Sequence, residues 1–268
     1  MLNYKRDFKE TELLLDENIK HDYYDRLYFS SNERLEDIFS YFDFKNKDIL
    51  SVIGSGDQAI SFYLNDVNKV DLFDINRLAI YYYYIRIWAI KYFRDIYPGT
   101  TEKTRDYIKE LLKYVDVKND NELNVYNYWQ LFVEKYTNFD FNRLFYYCNF
   151  PLLKQKIDLN GLINTIKLSN SKIWNIDLSG NFKIDEQYDF IYTSNIVDYV
   201  PRNKVRIYRD NIYNLLRDGG IVICSNLTMN SVDKDLRLKN IFEERFEFGK
   251  IFKKNSDFIT PGYYYIKK

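Results

Sequence analysis

Gly54, Gly56, Asp57 and Asp74 fall within residues 49–76, ILSVIGSGDQAISFYLNDVNKVDLFDIN, and their spacing is that of a ligand-binding turn. Glycines at 54 and 56 let a backbone turn sharply and come close to a ligand. Asp74 follows at about 20 residues, where an α/β nucleoside site places an acid to accept hydrogen bonds from ribose hydroxyls. Together these residues point to a nucleoside-bearing cofactor.

The same segment leaves the cofactor open. Gly54-Ser55-Gly56-Asp57-Gln58-Ala59 satisfies the G-x-G-x-x-G/A dinucleotide pattern literally. A dinucleotide would bring a pyrophosphate to the loop and the following helix N-terminus, where anions are favoured. Asp57 puts a carboxylate into that space, and like charges in a partly dry site repel. S-adenosylmethionine (AdoMet) has no phosphate, and its ammonium and sulfonium groups are cationic, so an acid in the loop suits it better than a nicotinamide dinucleotide. Asp57 is also a fitting cap for a helix beginning near Gln58, a role compatible with ligand contact.

The elements that must position these residues are legible on either side. Ile49 to Ile53 reads as a buried strand, the glycine turn and a helix follow, and a second apolar run ends at Asp74. A long helix is expected from Arg77 to Ile96, stopped by Pro98-Gly99. Its Tyr81 to Tyr84 run sits at helical spacing with Leu78, Ile85, Trp88 and Ala89, which reads as core rather than a base-stacking platform.

Upstream, residues 1–45 read as an N-terminal helical cap, with Ser30-Ser31-Asn32 as cap candidates before a Leu35, Ile38, Phe39, Phe42 stripe. Residues 100–171 interrupt the β/α rhythm with a mostly helical insertion that includes Trp129–Val133 and Arg143–Tyr147. Long insertions in such folds often cover ligand sites, so this one is expected to form a lid or wall.

The alternation then resumes. Lys172–Ile176 fits a third strand and Tyr188–Ser194 a fourth. Asn203–Leu216 is an amphipathic helix, Asp218-Gly219-Gly220 a turn, and Ile221–Ser225 a fifth strand. A helix near Asp233–Glu244 precedes Phe246–Phe252 and Tyr263–Ile266, strands joined through Pro261-Gly262 that should pair antiparallel. The expected fold class is therefore α/β. It is a Rossmann-like class I methyltransferase fold, mostly parallel with an antiparallel C-terminal pair and a helical insertion, in one domain spanning residues 1–268.

Composition narrows the function further. The 39 basic and 39 acidic residues cancel, so no global field draws the chain to nucleic acid. The charged N-terminus lacks a signal-peptide core, and no apolar run approaches the roughly 18–20 residues of a membrane span, so a soluble cytoplasmic protein is expected. Cys148 and Cys224 are far apart, Cys224 lies in an apolar run, and His21 is the single histidine, which disfavours a metal site. No G-x-S-x-G elbow supports a serine hydrolase. The 27 tyrosines carry no assignable function as a total.

Phe29-Ser30-Ser31-Asn32-Glu33, IGSGDQA, LFDIN and YTSNIVDYV resemble a bacterial family of class I AdoMet-dependent transferase-like proteins. That family is related to AdoMet:diacylglycerol 3-amino-3-carboxypropyltransferase of betaine-lipid synthesis. The resemblance covers most of the chain, in order, and includes the insertion. It implies AdoMet as cofactor, with Gly54, Ser55, Gly56 and Asp57 on its methionyl and ribose side, and Asp74 with neighbouring Ile75 at the ribose. Asp177 would receive the adenine amino group, with Ile176 or Leu178 against the ring, and Ser194 and Asn195 would line the fourth strand's end. Asn195, Asp198 and Tyr199 are the catalytic candidates. The implied reaction moves a methyl or 3-amino-3-carboxypropyl group to a small-molecule or lipid-like acceptor. A non-catalytic AdoMet-binding protein and an NAD-dependent oxidoreductase are the alternatives. Methyltransferases of this fold often carry an acid near the end of the first strand, where this chain has Ser51; the candidate to replace it is Asp57.

Overall fold

A computed structural model of the chain describes residues 2–15, 27–28, 35–96, 104–137, 145–146, 158–168, 171–226, 240–242, 245–251 and 262–268. The order along the chain is α1 (Tyr4–Leu15), β1 (Leu27–Tyr28), α2 (Leu35–Tyr41), β2 (Asp48–Val52), α3 (Asp57–Tyr63), β3 (Lys69–Asp74) and α4 (Arg77–Trp88). Then come α5 (Thr104–Leu112), α6 (Asp120–Lys135), β4 (Phe145–Tyr146), α7 (Leu159–Leu168), β5 (Ile173–Asn175), β6 (Tyr188–Ser194), α8 (Val205–Leu215), β7 (Leu216–Asn226), β8 (Glu247–Ile251) and β9 (Gly262–Lys267). The chain divides into two compact units. The first comprises residues 1–32, 53–60 and 74–168, and the second residues 33–52, 61–73 and 169–268.

The second unit is built on a seven-stranded sheet of order β5-β3-β2-β6-β7-β9-β8. Parallel ladders join β3 to β2, β2 to β6 and β6 to β7. β9 inserts antiparallel between β7 and β8, as expected from two helix-free neighbouring strands. Ile49, Leu50, Val70, Leu72, Ile191, Tyr192, Val222 and Ile223 are buried, the continuous apolar pattern of strands covered on both faces. Phe39 of α2 meets Phe44 and Phe62 at ring-centroid distances of 5.1 Å each, and Phe44 lies 4.7 Å from Phe190. These edge-on and tilted ring contacts seat α2 on the sheet.

Two charge networks fix the sheet's register. Asp71, fully buried in β3, accepts from the Tyr188 hydroxyl at 2.7 Å and the Lys172 backbone N–H at 2.8 Å, with Lys69 Nζ 2.8 Å away. One carboxylate thus links β3 to its neighbour on one side and to β6. Burial, and then the bond to Asp71, raise the Tyr188 pKa far above the ordinary phenol range, so the hydroxyl stays a donor. At the same end of the strands, Arg217 reaches Asp189 at 2.8 Å and Asp48 at 2.6 Å, tying β7 to β6 and β2.

The expected turn at Asp218-Gly219-Gly220 lies inside β7, with Gly219 at φ +76°. Leu216 pairs with Tyr188 and Ile221 with Phe190, so residues 217–220 bulge opposite Asp189. That bulge carries Arg217 to its two carboxylates.

In the first unit α1 packs on α6 and α4 through buried groups. The Tyr81 hydroxyl donates to Asp7 at 2.8 Å, and Thr11 and Tyr128 share a 2.7 Å hydroxyl contact. Tyr81 stacks on Tyr128 at 4.0 Å, and the Trp129 indole N–H donates to the Tyr81 carbonyl at 2.9 Å. Tyr81, Tyr82 and Tyr83 are buried, in keeping with the reading of the tyrosine run as core. α4 starts at the cap residue Asn76, whose side chain accepts from Leu78 N–H at 2.9 Å.

The helix expected to reach Ile96 gives way at Ala89 to a π-helical turn, Ala89–Phe93, and ends at Arg94 in the left-handed region with φ +57°. The proposed Pro98-Gly99 stop lies outside the described residues. Among the described residues between 100 and 171, α5, α6 and α7 are helical, but Phe145–Tyr146 form a short strand paired with Leu27–Tyr28, which corrects the helical reading there. Aromatic residues favour a pleated partner when one is at hand. α1 and α2, expected as one N-terminal cap, belong to different units. His21, Ser30–Asn32, Cys148 and most of the helix expected at 233–244 also lie outside the described residues. No helix among the described residues is long and apolar enough to cross a membrane.

Replacing Asp71 by Ala orphans the buried Tyr188 hydroxyl and leaves Lys69 without its partner on β3. Urea unfolding should show a loss of about 3 kcal/mol for Asp71→Ala, and about 1 kcal/mol for Tyr188→Phe.

Candidate functional site

The glycine turn of the first unit is built by backbone geometry. Gly54 has φ +53° and Gly56 φ +87°, a region L-side chains rarely adopt. A Cβ on Gly56 would stand 3.2 Å from the Tyr83 ring, and one on Gly54 would meet the Gln58 amide at 3.5 Å. The Gly56 N–H closes the turn on the Ile53 carbonyl at 2.7 Å. Glycine is therefore required at 56 for two reasons, backbone angle and space.

Asp74 ends β3 and holds this turn directly. Its Oδ2 accepts from the Gly54 N–H at 3.0 Å and its Oδ1 from the Asn76 N–H at 2.8 Å. The residue is 8% exposed, and burial pushes its pKa up to about 6, although the Asn76, Gly54 and Ile75 N–H groups act in the opposite direction. A carboxylate titrating there, at a strand's end, is the kind of perturbed group that marks binding sites. Ile75 beside it is 68% exposed, an aliphatic surface next to the acid.

Asp57 is the first residue of α3, and its carboxylate is not open to the loop's surface. It lies 2.5 Å from Arg86 Nη1, and both side chains are fully buried. The same Nη1 donates to the Ser55 carbonyl at 2.7 Å, while Nε and Nη2 reach the Ile96 carbonyl at 3.2 and 2.9 Å. This alters the electrostatic argument drawn from Asp57 alone. The loop acid has an internal counter-ion, so the pair is formally neutral and does not by itself repel a phosphate.

Sequence reasoning passed over Arg86. The signal was present: a cation inside the apolar aromatic run of α4 almost never stays buried without an acid partner.

In the second unit, the residues after β5 and β6 form two compact motifs. Asp177 Oδ1 accepts from the Ser179 N–H at 2.8 Å and hydroxyl at 2.7 Å, and Lys204 Nζ is 3.6 Å from its Oδ2. Asn211 of α8 donates to the Leu178 and Gly180 carbonyls, each at 2.9 Å, and Leu178 is buried. The Asp177 side chain thus serves its own turn. Ser194 ends β6 with φ +51°, uncommon for a residue with a Cβ. Its hydroxyl donates to Asn195 Oδ1 at 3.3 Å, and Asn195 Nδ2 donates to the Tyr199 hydroxyl at 3.2 Å. Asp198 closes the same turn through its N–H to the Asn195 carbonyl at 2.9 Å.

In order of appearance along the chain, the sheet's strands are arranged 3-2-1-4-5-7-6 with the last inserted antiparallel, and this is the class I methyltransferase fold. No protein-family model and no curated protein matches the sequence. Solved structures that resemble the chain are distant. The N-methyltransferase NodS from Bradyrhizobium japonicum, in complex with S-adenosyl-L-homocysteine, is 10% identical, with 97% of each chain covered and a TM-score of 0.48. A TehB-like SAM-dependent methyltransferase from Corynebacterium glutamicum is 9% identical over 99% of this chain and 98% of its own, with a TM-score of 0.45. A SAM-dependent methyltransferase from Methanosarcina mazei is 12% identical over 86% and 96%, with a TM-score of 0.45.

Substituting Gly56 by Ala forces a Cβ into the unfavourable half of backbone space and against Tyr83. Denaturant unfolding should register a loss of about 1–2 kcal/mol.

Proposed function

We propose that the chain is an AdoMet-dependent transferase, moving a methyl or 3-amino-3-carboxypropyl group to a small-molecule or lipid-like acceptor. The observation that carries this reading is the sheet order, with β9 antiparallel between β7 and β8 and an acid at the end of β3 bonded to the glycine turn. A nicotinamide-binding sheet of the 3-2-1-4-5-6 type has no such insertion.

The residues present fit the cofactor. Gly54 and Gly56 leave the turn without side chains of their own, so a ligand can lie against backbone. Asp74 is an acceptor-only group when ionised, the partner that two vicinal ribose hydroxyls need. Ile75 offers an apolar surface beside it. The cofactor would supply a cationic sulfur that leaves as a neutral thioether, which opens the attached methyl carbon and the aminocarboxypropyl carbon on sulfur to attack. The protein's part is then to bind, orient and exclude water, and no strong base is required. The 100–171 insertion is proposed as the wall that sets acceptor choice. Asp177, Leu178 and Ser194 are kept as candidates for cofactor contact. Asn195, Asp198 and Tyr199 are kept for the acceptor, with Asn195 also a candidate for the cofactor.

Incubation of the protein with AdoMet and cell extract, followed by mass spectrometry, tests the reading. S-adenosylhomocysteine reports methyl transfer and methylthioadenosine reports aminocarboxypropyl transfer. Binding without either coproduct supports a non-catalytic AdoMet protein. Because Arg86 neutralises the loop acid, the nicotinamide alternative calls for its own titration, and tighter binding of NADH than of AdoMet overturns the proposal.

The ionised form of Asp74 is the one that receives hydroxyls, and bound hydroxyl donors would lower its pKa. AdoMet affinity should accordingly be full at pH 8 and fall as pH drops through about 6. Asp74→Ala should weaken binding by more than about tenfold and abolish that pH step, both read by isothermal titration calorimetry.

A further inference from the structure

We infer that Arg86 is the positioning residue of the cofactor loop, and that Asp57 acts through Arg86 rather than by touching the ligand. This rests on the AdoMet reading of the glycine turn. One guanidinium makes contacts at three points on two stretches of chain: the Ser55 carbonyl of the loop and the Asp57 carboxylate that starts α3, and the Ile96 carbonyl of the segment after the π-helical turn. Only the planar five-donor fork of arginine makes these contacts at once; a lysine ammonium provides a single point charge.

The site of attachment matters. Ser55 lies between the two glycines whose positive φ angles define the turn, and Gly56 packs against the same side chain, since a Cβ there would stand 3.6 Å from Arg86 Cδ and Nη1. A glycine-rich turn has high conformational entropy when unconstrained. Holding the Ser55 carbonyl from behind orients the loop before a ligand arrives, which is preorganisation in the sense that lowers the cost of binding. Asp57 is 0% exposed and its Oδ1 is held by Arg86, so in this arrangement a ligand on the loop surface does not reach its carboxylate. Its charge holds the guanidinium in a dry interior, where an unpaired cation is strongly disfavoured. The π-helical turn that follows α4 places Ile96 as the third anchor, and such turns recur where a helix is adapted to a functional need.

The test uses the full chain, Arg86→Lys, and the double variant Asp57→Leu with Arg86→Met. The double variant removes both charges together, leaving no buried unpaired charge. AdoMet binding is measured by calorimetry, thermal unfolding by circular dichroism, and backbone amide exchange of residues 54–57 without ligand. The double variant should unfold cooperatively, yet bind AdoMet more than about tenfold more weakly and exchange its loop amides more than about tenfold faster, since a buried charged hydrogen bond to Ser55 has been lost. Arg86→Lys should show the same two losses despite keeping the charge.

Wild-type affinity in the double variant, or wild-type exchange rates in its loop, overturns the inference. Should the double variant fail to fold, Arg86→Lys decides on the same readouts. Absence of AdoMet binding by the unaltered protein overturns the cofactor reading, and the exchange rates then decide the positioning claim alone.

Discussion

A guanidinium and a carboxylate buried together, Arg86 and Asp57, set a demand on their surroundings. Removing two charges from water costs several kcal/mol per ion, and the interior tolerates them only when their partners are complete. Here completion takes the Ser55 carbonyl, the Ile96 carbonyl and the Asp57 oxygen, all on one side chain. The path of the glycine turn, the start of α3 and the end of the segment after α4 are therefore mutually determined. None of the three can shift without exposing a charge to an apolar interior.

The three buried acids within residues 57–74 are handled in three ways. Asp57 is matched by Arg86. Asp71 is matched by the Tyr188 hydroxyl, the Lys172 N–H and the Lys69 ammonium. Asp74 is met by backbone N–H groups, and burial raises its pKa to about 6. The first two hold the fold. The third is held by backbone N–H groups, and burial outweighs their effect on its pKa. Chemically identical side chains thus reach different states through their environments.

Much of this was legible in the chain. Continuous apolar runs bounded by turn residues located β2 and β6 to within a residue and the end of β3 at Asp74, and the absence of a helical pattern between β8 and β9 told their antiparallel pairing. The glycines of the turn were visible because the residue type itself signals unusual backbone angles. Less legible were features that depend on a distant partner. Residues 217–220 read as a turn from their glycines, but Asp48 and Asp189 draw Arg217 into a bulge inside β7. Phe145–Tyr146 read as helical from their neighbours, yet pair with Leu27–Tyr28.

Local chemistry in the sequence determined the glycine turn, the acid that follows it and the alternation that makes an α/β sheet, because periodicity and glycine act over a few residues. Only the tertiary structure decided which partner each acid has. Asp57 read as a ligand-facing charge or a helix cap, and its carboxylate is paired with Arg86, because that partner stands on another helix and charge pairing across a fold leaves no mark in residue spacing. Asp74 acquired its raised pKa in the same way, from burial that no single segment encodes.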